Sequence, residues 1–290
     1  MAVRQTSVLC WRSNPTVTRT LVVVKGGGDI GTGVAHRLFN SGMLVIITEI
    51  ERPKAIRRTV SFAQAIYQGE FEVEGVTAKR IEDFEESLQP FRGIPVLVDE
   101  RADIVKRIQP EVVVDAIMAK RNLGTKITDA PIVIGLGPGF TAGGDVHAVV
   151  ETKRGHFLGM VIYQGEAEKN TGIPGQIEGY TIERILRAPR HGKLRAIKSI
   201  GDLVDKGDEV ASVEGHPVIS QISGVLRGML QDGLLVLEGE KIGDVDPRAA
   251  REYCFTISDR ARAVGGGVLE AILSLRCRTK KNSPTHQQRG

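Results

Sequence analysis

The chain has 290 residues, 41% of them hydrophobic and 4% aromatic, enough for a substantial core and about two domains. Its net charge of +4 comes from the ends: Arg4, Arg12 and Arg19 in residues 1–20, and Arg276, Arg278, Lys280, Lys281 and Arg289 in residues 276–290, with no acid in either stretch, leave residues 21–275 at −4. That distribution excludes a nucleic-acid platform, the lack of an apolar run near roughly 18 residues excludes a membrane span, and the absence of a secretory signal with three scattered cysteines (Cys10, Cys254, Cys277) points to the cytoplasm.

Both charged ends read as disordered, as an N-terminal extension over 1–20 and a basic tail over 276–290. The first predicted strand, 22–24, runs into Lys25-Gly26-Gly27-Gly28-Asp29-Ile30-Gly31, which reads G-x-G-x-x-G at Gly26, Gly28 and Gly31. Val34, Leu38 and Phe39 then recur at helical spacing, and a second apolar strand, 44–49, ends in Glu49. Glycines at those places permit a tight turn and bring backbone N–H groups close to a pyrophosphate at a helix N-terminus, while an acid closing the next strand accepts hydrogen bonds from a ribose. The alternative is a glycine turn that only packs helix on sheet.

A helix is predicted over 54–68, with Pro53 at its start. Its basic residues, Arg57 among them, either bind a further anionic group or lie solvated. Strands at 76–81, 95–99, 112–116 and 131–135 alternate with a polar helix at 82–88 and a helix at 102–108. This alternation predicts an α/β fold: a Rossmann-like, doubly wound parallel sheet, carrying a β-rich extension after Gly135 and spanning 21–183. Asp115 to Asn122 lies past a strand end, where open α/β sheets bind ligands, which places Lys120 and Arg121 toward the glycine loop. A second glycine cluster, with Gly137 and Gly139, reads as a loop over the ligand. Asp145, His147, Glu151 and His156 permit metal or acid–base work; surface polarity explains them as well, and no metal site is assigned. The stretch 170–175 reads as a turn.

Residues 192–213 and 224–245 align without a gap, with eight identical positions in 22, including Gly192/Gly224, Leu194/Leu226 and Gly207/Gly239. Half-repeats of this kind are stable when the copies pair. With its Gly-Asp-x-Val-x-Lys-Gly-Asp turn at 201–208 and Ile222-Ser223-Gly224-Val225-Leu226, this stretch resembles the biotinyl and lipoyl carriers. The resemblance implies a small all-β barrel-sandwich module over 184–246. The hairpin between the copies, Glu214-Gly215-His216-Pro217-Val218, has no lysine, so a docking surface is expected there rather than a swinging arm. A C-terminal helical segment, broken at Gly265-Gly266-Gly267, is predicted over 247–275, with Cys254 as a packed core thiol.

No H-E-x-x-H, C-x-x-C or Walker-type loop occurs, and no tyrosine has a lysine four residues on. Over residues 20–275 the motifs together resemble the YqeB-type accessory family of the selenium-dependent molybdenum hydroxylase system, which is partly similar to XdhC-type proteins. The segments that carry the resemblance are 25–33, 48–62, 115–122, 135–139, 151–156, 170–175, 222–246 and 254–270. It implies a maturation factor that binds the pterin dinucleotide form of the molybdenum cofactor and delivers it to an apo molybdenum hydroxylase. Gly26, Gly28, Asp29 and Gly31 would hold phosphates, Glu49 a ribose, and Arg57, Lys120 and Arg121 the remaining anionic groups, with Gly137 and Gly139 above. The alternatives are an NAD(P)-dependent oxidoreductase, with His147 or His156 as its acid–base residue, and a docking scaffold without a ligand.

Overall fold

A computed structural model describes residues 20–88, 92–172 and 175–281. The terminal stretches expected to be disordered therefore lie outside the described residues, apart from Thr20 and a helical run to Lys281, as do two residues of the turn at 170–175.

Strands β1 (Leu21–Lys25), β2 (Leu44–Glu49), β5 (Ile94–Val98), β6 (Val112–Asp115) and β7 (Ile132–Leu136) pair in parallel at the centre of a nine-stranded sheet. The hairpin of β3 (Glu70–Val73) and β4 (Val76–Ile81) forms one edge, and β9 (Ala148–Val150) with β10 (Val161–Ile162) forms the other, giving the order β10-β9-β7-β6-β1-β2-β5-β4-β3. The Val and Ile side chains of β1, β2, β6 and β7 are buried on both faces, as a covered sheet requires. On one face pack helices α1 (Asp29–Asn40) and α4 (Asp259–Lys281), with the short α2 (Ala65–Gln68). The other face is covered by the five-residue α3 (Ile104–Ile108) and by loop residues such as Phe140, Val146 and Ala167.

The expected doubly wound parallel sheet followed by a barrel-sandwich is corrected by this topology. The large sheet is mixed, with antiparallel strands at both edges, and several separate antiparallel sheets accompany it. The local cause at one edge is Glu74-Gly75, whose φ values of 45° and 77° form a two-residue turn that folds β4 back on β3, a strand not predicted from the sequence.

Two further expectations change. Residues 54–68 do not form one helix: two 3-10 turns, Arg58–Val60 and Phe62–Gln64, precede α2. The segment is kept from forming one helix because Ile56 O accepts from Met229 N at 2.8 Å and the Thr59 hydroxyl donates to Cys254 O at 2.6 Å, so it bridges two parts of the molecule. Helix α4 runs unbroken through Gly265-Gly266-Gly267. A Cβ at Gly265 would lie 2.9 Å from Gly33 O and one at Gly267 2.2 Å from Gly159 O, so these glycines permit close packing against α1 and a neighbouring loop.

Strands β8 (Thr141–Ala142) and β11 (Gly165–Glu166) form a small pair. Beyond β12 (Ile185–Arg187), the sequence repeat becomes β13 (Gly192–Ala196), β14 (Leu203–Val204) and β15 (Glu209–Val213), then the hairpin strand β16 (His216–Ile219), then β17 (Gly224–Met229), β18 (Leu235–Val236) and β19 (Lys241–Asp246). Each copy lends its short middle strand to the other, β14 pairing β17 and β18 pairing β13. The result is two four-stranded antiparallel sheets, β12-β19-β17-β14 and β16-β15-β13-β18, around a second core that includes buried Cys254.

Candidate ligand cleft

The carboxyl ends of β1, β2 and β6 face the wall made by β12, β17 and β19, and between them opens a cleft of about 960 Å³. The glycine loop forms its floor. Gly26 has φ +93° and a Cβ there would meet Ala116 O at 3.0 Å, while a Cβ at Gly31 would lie 2.1 Å from Gly26 O; both positions need glycine for the turn itself. Gly28 is different. It caps α1 in an extended conformation, with nothing within 4 Å of a would-be Cβ, so the loop is open to the cleft there. The first N–H groups of a helix have no partner inside it and carry its positive end, which suits an anion.

Glu49 is committed to this loop: its Oε2 accepts from Gly27 N at 2.8 Å and its Oε1 from Ile50 N at 2.9 Å. Burial pushes its pKa up against the lowering effect of these two bonds. Lys25, Asp115 and Thr125 form a buried triad beside the loop; Lys25 Nζ donates to Thr125 Oγ1 at 2.5 Å and lies 3.5 Å from Asp115 Oδ2.

Among the described residues, twelve Lys or Arg and six Asp or Glu side chains line the cleft, and its lining holds no aromatic residue, histidine or cysteine. Arg57 donates to Asp29 Oδ2 at 3.4 Å and to Tyr253 O at 3.2 Å. Arg260 Nε donates to Thr152 O at 2.7 Å, and Arg227 Nη1 to Asp246 Oδ2 at 2.9 Å. Burial holds the Arg227 guanidinium below its ordinary pKa, and the positive charge of Arg57 adds to this; burial does the same at Arg260. An anion between them would relieve both penalties. Among the described residues, five buried side-chain N or O atoms lack a hydrogen-bond partner, and four of these belong to the cleft lining: Arg57 Nε, Arg184 Nε, Arg227 Nε and Asp244 Oδ1. Buried polar groups are normally satisfied, so this concentration marks the cleft as a place where polar groups await a partner.

Of the residues singled out in the sequence, Gly26, Gly28, Asp29, Gly31, Glu49, Arg57 and Lys120 line the cleft; Arg121, Gly137 and Gly139 do not. Gly137 and Gly139 serve close approach, since Cβ atoms there would lie 2.3 Å from Thr152 Oγ1 and 2.6 Å from the Arg121 backbone. His147 and His156 also lie outside the lining; His147 Nδ1 accepts from Val133 N at 3.0 Å. The oxygens of Glu151 are taken up by the N–H groups of Thr152, Lys153 and Glu168. Among the described residues, no group of three His, Cys, Asp or Glu side chains is placed to hold a metal. Sequence reasoning missed Arg184, Arg227, Asp244 and Arg260, because they come from the second half of the chain and only tertiary structure brings them to the loop. The one available signal was that Arg227 is an identical position of the repeat, paired with Arg195.

Fold and site together define a chain with two cores and a cationic, glycine-floored cleft between them. The chain is 51% identical over 257 residues to "Uncharacterized protein YqeB" of Escherichia coli (strain K12), covering 88% of this chain and 48% of that protein. This likeness supports the YqeB family, and the chain spans about half the length of the curated relative it matches. No protein-family model matches. Solved structures with some likeness include an aspartoacylase family protein from Mesorhizobium loti (8% identity, TM-score 0.26) and a succinylglutamate desuccinylase/aspartoacylase from Rhodobacter sphaeroides (13%, TM-score 0.25), each match covering 79% of this chain and 85% of the other. At these scores neither carries an argument about activity. No helix among the described residues is long and apolar enough to cross a membrane.

Proposed function

We propose that this chain binds a pyrophosphate-bearing dinucleotide in the cleft, namely the pterin dinucleotide form of the molybdenum cofactor, and delivers it to an apo molybdenum hydroxylase. The observation that carries the reading is the open floor at Gly28, on the N-terminal end of α1, facing Arg57, Arg184 and Arg227, whose Nε atoms make no hydrogen bond. Helix end and guanidinium groups suit a pyrophosphate from opposite sides. Exposed Ile50, Ile117 and Leu123 at the cleft offer an aliphatic slot for a flat ring. The residues fit the organic, anionic part of such a cargo; the lining holds no thiol or imidazole to take over its metal.

In this reading the chain's part is to hold and orient. Glu49 fixes the glycine loop through Gly27 N, so that it meets the phosphates preformed. The test is transfer: protein loaded in cells that make the cofactor is mixed with apo-hydroxylase, and hydroxylase activity is followed. Wild type restores activity and Gly28→Trp does not. Equal restoration by both removes the cleft from the account.

A further inference from the structure

Asp244 lies on β19. It is 7% exposed and lines the cleft, and its Oδ1 has no hydrogen-bond partner among the described residues. Its neighbour Asp246, fully buried in the same strand, shows how this fold treats an acid it uses for itself: Arg227 Nη1 lies 2.9 Å and Arg248 Nη2 2.6 Å from its Oδ2. A buried carboxylate left without a donor is strongly unfavourable, so one kept beside a ligand cleft points to a donor supplied by the ligand.

The surroundings narrow that donor. Arg184, Arg187, Arg227 and Lys241 line the same wall, so a ligand ammonium would meet four cations. A neutral N–H is accepted there without that repulsion, and Arg227 alongside requires an acceptor next to it. A neutral donor and an acceptor on one rigid edge describe an amino-oxo heterocycle. The edge lies within the reach of one ligand from the glycine loop. A Cβ at Gly228 would lie 2.6 Å from both Asp244 Oδ1 and Ile56 Cγ2, and the next residue, Arg57, reaches Asp29 in the first turn of α1.

We propose, resting on the dinucleotide reading above, that Asp244 with Arg227 reads the 2-amino-4-oxopyrimidine edge shared by pterin and guanine rings, and so sets the specificity of the cleft. Calorimetric titration with guanosine diphosphate and xanthosine diphosphate tests this, because xanthine carries an oxygen where guanine carries the amino group. Wild type binds the guanosine compound about tenfold tighter or better, and Asp244→Asn, whose amide can donate, reverses the order. That reversal is a gain of binding, which a misfolded variant cannot produce. Neopterin competes with guanosine diphosphate if the ring read is a pterin; reversal without competition assigns a guanine nucleotide. Equal binding of both diphosphates overturns the role of Asp244 while leaving the phosphate site in place. Failure of both diphosphates to bind wild type overturns the dinucleotide reading as well.

Discussion

Glycines of one motif meet different demands, and substitution at Gly31 and Gly28 separates them. At Gly31 a methyl group would lie 2.1 Å from Gly26 O, so Gly31→Ala lowers stability by about 2 kcal/mol or more, read by thermal unfolding. At Gly28 the space is open, so Gly28→Trp keeps the wild-type melting temperature within a few degrees and loses the ligand. A large drop in stability in that variant would refute the open floor. Glu49 gives a pH signature. Its folded-state pKa is raised above the ordinary value of 4.5 by burial, so the folded protein binds the proton more tightly than the unfolded chain. Its contribution is fully present below that value and is lost as pH rises through the folded pKa. Denaturant titrations across this range are expected to show wild-type stability falling with pH relative to Glu49→Gln; a parallel pair of curves would contradict the assignment. These residues were legible in the sequence because glycine and a strand-end acid carry local meaning. Asp244 was not, since nothing local distinguishes an unpartnered acid from a paired one.

Helix α4 shows how an element can be visible in outline and wrong in detail. Three consecutive glycines suggest a break by propensity, yet tertiary packing selects them. Gly266, with nothing within 4 Å of a would-be Cβ, is the exception among the three. Gly266→Ala is expected to stabilise the protein by about 1 kcal/mol through helix propensity, and Gly267→Ala, which would place a methyl group 2.2 Å from Gly159 O, to destabilise it by about 2 kcal/mol. Calorimetric melting of the two variants checks the contrast, and shifts of equal sign would contradict it. The strands that form the sheet centre were readable because continuous Val and Ile runs have few other uses. The segment 54–68 was misread because its apolar spacing fits a helix, while its hydrogen bonds go to Met229 and Cys254, residues far along the chain.

At the scale of the whole molecule, the repeat could be aligned from sequence, and its strand exchange puts β17 and β19 where they wall the cleft. The role given to that half as a docking surface left out its cationic side chains, which meet the glycine loop only in three dimensions. The excess of Lys and Arg in the cleft predicts that binding of pyrophosphate weakens steadily from low salt to about 1 M salt, as screening of partly exposed charges requires; salt-independent binding would place the anion elsewhere. The central claim, that the cleft holds a pterin dinucleotide, is tested most directly by purifying the protein from cells that make the molybdenum cofactor, denaturing it, and identifying the released compound by mass spectrometry. The account predicts a pterin joined to a nucleotide through pyrophosphate. Release of NAD or NADP, or of no phosphorylated compound at all, would contradict it.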